Sequence, residues 1–359
     1  MTGQGKKRLS VMIFLLLIWT GFLGILPAAA DASVVLTVGE TGQYSSIQKA
    51  LDALAGKSGT AVVRFLGTRI KESDADLHLP EDASITKLSF EGEEKTVRIT
   101  GPKRMFLSGI SFSLGTGVSF PEMVLYGGSD ADGIETSDPG ADIEISGEIQ
   151  TVIGGGYAHN GGRAKTEGPI RIRVTESGNI VTEIYGGGQA EGKGCLAQAQ
   201  TTDIRCDGTA DYIFGGGRAD GSGRTIMQGE TNITVGEKGV VRTAVFGGNC
   251  VAEAGSFSEG TSANISIYGD ANTSFGGDYV FSGGKALMTG YAVTIIQNSG
   301  YVKKVFGASM AADDGSSASV FMASVSVYGK VDTVIADGQV TGKAESIVHA
   351  QPQVIYWNR

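Results

Sequence analysis

ADYIFGGGRADGSG, residues 210–223, is either a strand met once that carries a reactive aspartate or one turn of an internal repeat, and the two readings predict different proteins. Setting the chain against itself favours the repeat. An apolar pair followed by a glycine cluster recurs as VLYGG ending at Gly128, VIGGG (152–156), IYGGG (184–188), IFGGG (213–217), VFGGN (245–249), VFSGG (280–284), VFGAS (305–309) and VIADG (334–338). The period is about thirty residues, in the range of solenoid repeats.

Ahead of each cluster runs an alternating segment whose apolar pairs are Ile143/Ile145, Ile172/Val174, Ile204/Cys206, Ile233/Val235, Ile265/Ile267, Val293/Ile295 and Val325/Val327. Period-two alternation places one column inside and the polar residues between them outside. A polar, glycine-rich loop follows each cluster, with a small residue near its start at Ala158, Ala190, Ala219, Ala286 and Ala311, as a tight bend under the next coil requires. Such a unit cannot bury its apolar face alone, whereas stacked copies form a continuous core. A β-propeller blade would need four strands per repeat, and only two or three can be found; ordinary hairpins would need two-residue turns such as Asn-Gly in every repeat, and that dipeptide occurs once, at Asn160-Gly161. The expected fold is all-β, a parallel β-helix with one coil per repeat.

Composition fits an ordered, turn-rich, β-rich chain: 56 of 359 residues are glycine and 7 are proline. Residues 1–30 read as a secretory signal peptide, with Lys6, Lys7 and Arg8 before an apolar run from Val11 to Leu26 and a small-residue site at Ala28-Ala29-Ala30. An uncleaved membrane anchor is the alternative. Removing this segment takes three basic residues and no acidic one, leaving 26 Lys and Arg against 38 Asp and Glu, a net charge of −12. Nucleic acid is therefore excluded as an expected partner. Cys195, Cys206 and Cys250 have no Cys-x-x-Cys spacing; Cys206 occupies a Val/Ile position, which suits a buried thiol, and one disulfide among the three stays open. His78, His159 and His349 are isolated, so no metal and no cofactor is expected.

Residues 38–54, VGETGQYSSIQKALDAL, resemble the opening of the pectin-lyase-like right-handed β-helix superfamily, in which a strand and a Gly-x-Tyr-x-x-Ile-Gln element lead into a helix that caps the first coil. Ile47, Ala50, Leu51 and Leu54 supply the apolar stripe of that helix, with Ser45 or Ser46 as N-cap. The resemblance implies a right-handed single-stranded parallel β-helix (solenoid) with a short N-terminal capping helix, divided as signal peptide 1–30, N-terminal cap 31–60 and β-helix coils 61–359. It spans seventeen residues and is shared by enzymes and non-enzymes, so it does not fix the chemistry.

Residues 208–215 also resemble the strand GTxDFIFG of the pectin methylesterases, which would make Asp211 a catalytic nucleophile. The repeat weighs against that. Aligned on the apolar pair, the Asp211 column reads Gln150, Thr182, Asp211, Thr243, Asp278, Lys303, Asp332, and the string recurs as DYVFSGG at 278–284. The Gln-Asp-Thr and Leu-Gly-Arg-Pro-Trp motifs that supply the acid and the oxyanion donors in that family are missing, as are the polygalacturonase and pectate lyase motifs. Asp211 and Asp278, read as two coils apart at about 10 Å, are the candidates for an acid/base pair. Tyr185, Phe214, Phe246, Phe281 and Phe306 form an aromatic column, read either as packing along the rod or as a platform for sugar rings. The expectation is a secreted or cell-surface, non-catalytic, adhesin-like or polysaccharide-binding protein; a glycoside hydrolase, lyase or pectin-esterase-like enzyme is the alternative. Its expected partners are a polysaccharide or a host or cell-wall surface, with end-to-end homo-association through an uncovered last coil.

Overall fold

The computed structural model describes residues 33–93 and 96–357, so residues 1–30, read above as a signal peptide, lie outside the described residues. The chain winds into a parallel β-solenoid of about eleven turns, whose strands form three long parallel sheets. One turn illustrates all of them. Arg218–Asp220 lies in the third and shortest sheet, Arg224–Met227 and Thr231–Val235 lie in the first, and Val240–Phe246 lies in the second before the chain bends at Gly247 and Gly248. At the usual strand separation of about 4.8 Å, eleven turns make a rod on the order of 50 Å long.

Register carries the core from turn to turn. Ile172, Ile204, Ile233 and Ile265 are successive partners, as are Val174, Cys206, Val235 and Ile267, and all are shut off from solvent. The next turn departs from the sequence reading by one residue: Thr294 and Ile296, not Val293 and Ile295, continue these two columns. A one-residue shift moves a strand's whole inward set to the other face. Alternation alone favoured the valine and isoleucine, because the inward position is held by a threonine.

On the third sheet Ala131, Ala158, Ala190, Ala219, Val251, Val280 and Ala311 point inward in one column. Ala286 belongs elsewhere, on the first sheet opposite Ser258 and Ala318. The helix α1 (Ile47–Asp52) is N-capped by Ser46, whose side chain accepts from the Lys49 N–H at 3.3 Å, and its Ile47, Ala50 and Leu51 are buried against the first turn together with Leu54. At the other end, the strands Lys330–Ile335, Gln339–Val340, Glu345–Val348 and Gln353–Tyr356 pair on one side among the described residues. Their outward-facing edge leaves Val340, Ile347 and Trp357 exposed.

Candidate binding surface

The glycine bend is re-entrant: it folds the outward face of the second sheet against the outward face of the third. A Cβ on Gly247 would lie 2.2 Å from the Gly276 carbonyl oxygen and 2.7 Å from the Ala263 Cβ, so this corner admits no side chain. Tyr185, Phe214, Phe246, Phe275 and Phe306 follow one another in register along it, their rings 4.6–5.0 Å apart and within 6° of parallel. All five are buried, so their faces stack on one another and offer no open platform. Phe281 is not a member of this column. The bend of its turn is Phe275-Gly276-Gly277, and Phe281 follows the third-sheet strand Tyr279–Val280, partly buried beside Tyr279 at 5.1 Å.

The same correction separates the two candidate carboxylates. Register places Asn272, between the paired Ala271 and Thr273, in the column of Asp211, and Asp278 instead follows the bend. Asp211 is ion-paired with Arg242 of the next turn, which also donates to the Ile180 carbonyl at 3.2 Å. Asp278 is fully buried, where its Oδ1 accepts from the Asn249 N–H at 2.7 Å and from Asn249 Nδ2 at 3.1 Å, while its Oδ2 has no partner. Burial pushes the Asp278 carboxyl up to about 6 against the lowering effect of those bonds. Asn249 makes the same backward contact one turn earlier, accepting from Gly217 N–H at 2.9 Å, and Ser309 makes it one turn later, accepting from Asp278 N–H at 3.0 Å. This row ties bends together, and Asp278 does not meet Asp211 in a common site.

The outward residues of the third sheet fill the rest of the corner, in the order Asp130, Tyr157, Gln189, Arg218, Cys250, Tyr279, Met310. The second half of this row is apolar and packs on the ring stack, Tyr279 lying 5.0 Å from Phe246. Its first half is a polar network. Tyr126 donates to Gln189 at 2.7 Å, Gln189 donates to Asp220 at 3.1 Å, and Arg218 bonds Asp220 at 2.8 Å, Glu183 at 3.2 Å and the Tyr185 hydroxyl at 3.1 Å. Burial opposes the charge on Arg218, but Tyr185 and Asp220 outweigh it and hold the guanidinium ionised. Burial also raises the Tyr126 and Tyr157 phenols, Tyr157 further by its bond to Glu191, so both stay neutral donors.

Comparison of the sequence with models of protein families, with curated proteins and with solved structures finds no match.

Where the network reaches the surface it opens into a cleft of about 480 Å³ lined by Tyr157, His159, Asn160, Glu191 and Lys193. His159 stacks on Tyr157 at 4.6 Å and bonds Asp130 through Nε2 at 2.8 Å, and Arg104, paired to Asp76 at 2.9 Å, lies over the Tyr157 ring at 5.2 Å. Sequence reading passed over these residues because the cleft is assembled from neighbouring turns, Tyr157, His159 and Asn160 from one and Glu191 and Lys193 from the next. The signal was present, since the residue one or two places after each glycine cluster points into this corner. The three cysteines fall in three separate buried clusters and are free thiols. Burial pushes Cys206 and Cys250 up to about 12, which leaves both protonated and unreactive. Among the described residues no group of three or more His, Cys, Asp or Glu is placed to hold a metal, and no helix is long and apolar enough to cross a membrane.

Proposed function

We propose that this chain is a secreted or cell-surface β-helix of the pectin-lyase-like kind that holds a polysaccharide without turning it over. The cleft over Tyr157 carries the reading. Its walls offer both donors and acceptors, in Asn160, Lys193, His159 and Glu191, on a rigid floor of stacked rings. A sugar hydroxyl both donates and accepts, so a mixed rim of this kind suits it better than a rim of one sign. The non-catalytic half of the reading is supported by Asp211 being held by Arg242 and by Asp278 being sealed in the corner.

The test is retention of the intact chain on immobilised neutral glycans such as dextran, with product release followed in parallel. Retention without release, lost in a His159→Ala/Lys193→Ala variant and kept in Asp211→Asn, is the expected result. Release of sugar that disappears in Asp211→Asn would overturn it. The outer edge of the last described turn is, on the same reading, where two rods would meet end to end; sedimentation at rising concentration should show a dimer, and a strict monomer counts against it.

A further inference from the structure

A hollow of about 1080 Å³ lies beside α1 and is lined by Lys49, Arg69, Lys71, Arg98, Thr100 and Glu40. Arg69 and Arg98 are direct partners on neighbouring parallel strands, and Lys71 follows Arg69 on the same outward face, opposite Thr100. Neighbouring strands stand about 4.8 Å apart, so the two guanidinium groups rise side by side, and like charges directly opposite one another destabilise a sheet. The same strands bury Ile70 and Ile99, which fixes the cations outward.

Elsewhere this acidic chain neutralises most of its described arginines. Arg64, Arg104, Arg205, Arg218, Arg224 and Arg242 each bond a carboxylate at a neighbouring position. Among the described residues Arg69, Lys71 and Arg98 have no carboxylate partner, and Lys49 bonds the Ser45 hydroxyl alone, at 3.1 Å. Four cations and one carboxylate therefore share one concave wall on a chain whose formal charge is −9. A concave patch of one sign concentrates ions of the other, and paired guanidinium groups match the planar or forked oxygens of carboxylate and sulfate.

We propose that this hollow binds an anionic polysaccharide, one carrying carboxylate or sulfate groups along its chain, with Arg69 and Arg98 gripping one acidic group and Lys71 and Lys49 the next. The inference rests on the chain being a glycan binder and names the kind of glycan. It uses a different site from the cleft over Tyr157. Nucleic acid offers the same charge, but a duplex carries it on a rod too long to avoid the acidic remainder of the surface.

Dextran and dextran sulfate share a backbone and differ in charge, which makes them the probes, together with polygalacturonate, inorganic sulfate and single-stranded DNA. Calorimetry on the full chain should show dextran sulfate and polygalacturonate binding that weakens with added salt. Arg69→Glu/Arg98→Glu should weaken both by on the order of tenfold or more, since it replaces attraction by repulsion at the paired site. Arg69→Ala should give a smaller loss. All four cationic residues are exposed, and unchanged circular dichroism would show that the variants fold. Dextran binding through the cleft should be untouched by these variants and lost in His159→Ala/Lys193→Ala, so failure of one site is read separately from failure of the other. Polyanion binding that survives the double charge reversal, binding of inorganic sulfate as tight as that of the polymers, or equal binding of DNA would overturn the proposal.

Discussion

In the first turns Phe65, Phe90 and Phe112 lie inside the rod and meet edge to face: Phe65 and Phe90 at 5.3 Å and 87°, Phe90 and Phe112 at 5.2 Å and 77°. From Tyr185 to Phe306 they lie outside the main core, in the re-entrant corner, flat on one another. Register explains the difference. Phe90 is partnered by Val63 and Leu114, so no phenylalanine of the early turns sits directly over another. Phe214, Phe246 and Phe275 are direct partners, and their rings must stack at the pitch of the coil. An aperiodic stretch fills its interior by fitting unlike shapes together, whereas a periodic one repeats a single contact.

The largest test of this contrast is Phe246→Ala, which removes a ring with neighbours on both sides and should cost about 3–5 kcal/mol, read as a lower denaturant midpoint. If the stack were incidental, the loss would be no larger than for a half-exposed ring such as Phe281. Next comes Asp278→Asn. The carboxyl is raised to about 6 in the folded chain from an ordinary value of 3.8. A raised carboxyl pKa contributes stability that is fully present below the unfolded value and lost as pH rises through 6. By linkage the chain should lose about 2 kcal/mol between pH 4 and pH 7 from this group. The substituted amide would keep the acceptor that Asn249 bonds, so the variant should be more stable at pH 7 and lose less stability across that window than the parent chain, as urea titrations at several pH values would show. A variant less stable at pH 7 would mean that the carboxylate is partnered after all.

Glycine separates the two regions on a smaller scale. Gly247→Ala drives a methyl against the Gly276 carbonyl and should cost about 1–3 kcal/mol through overpacking. Gly67, in the early turns, has φ of +98° and nothing within 4 Å of where a methyl would sit. Its change to alanine should cost about 1–2 kcal/mol from backbone strain alone, so thermal shifts for the pair test whether the repeat's glycines are there for space and the early ones for conformation. The smallest effect is expected for Asp211→Asn, where loss of a half-exposed ion pair with Arg242 should change stability by at most about 1 kcal/mol.

The solenoid was legible in the sequence because glycine clusters and inward aliphatic pairs recur together. The misreading is confined to one turn, for a physical reason. Its true bend, Ser274-Phe275-Gly276-Gly277, has serine where the other bends carry Val, Ile or Leu, and the inward position of the following strand is Thr294. Both hydroxyls are buried without a partner, so hydrophobic patterning passed over them and settled on Val280-Phe281 and Val293/Ile295. Spacing held the correction: Phe246 to Phe275 to Phe306 gives intervals of 29 and 31, whereas passing through Phe281 gives 35 and 25. The cleft and the cationic hollow were out of reach for another reason, since each is assembled from separate turns and exists only once the register is known.

At the corner, Gly186, Gly215, Gly247 and Gly276 each press against the carbonyl of the bend one turn further on. Every turn thus presents to the next the surface it received from the one before. Removing residues 215–246 would set Phe214 against Phe275 and Gly247 in the place of Gly215, with the same neighbours on both sides. Length in this molecule is therefore a quantity that changes in whole steps of about 4.8 Å, each costing one coil of sequence, while irregularity in coil length is absorbed by the loops. The corner acts as the ruler on which those steps are marked.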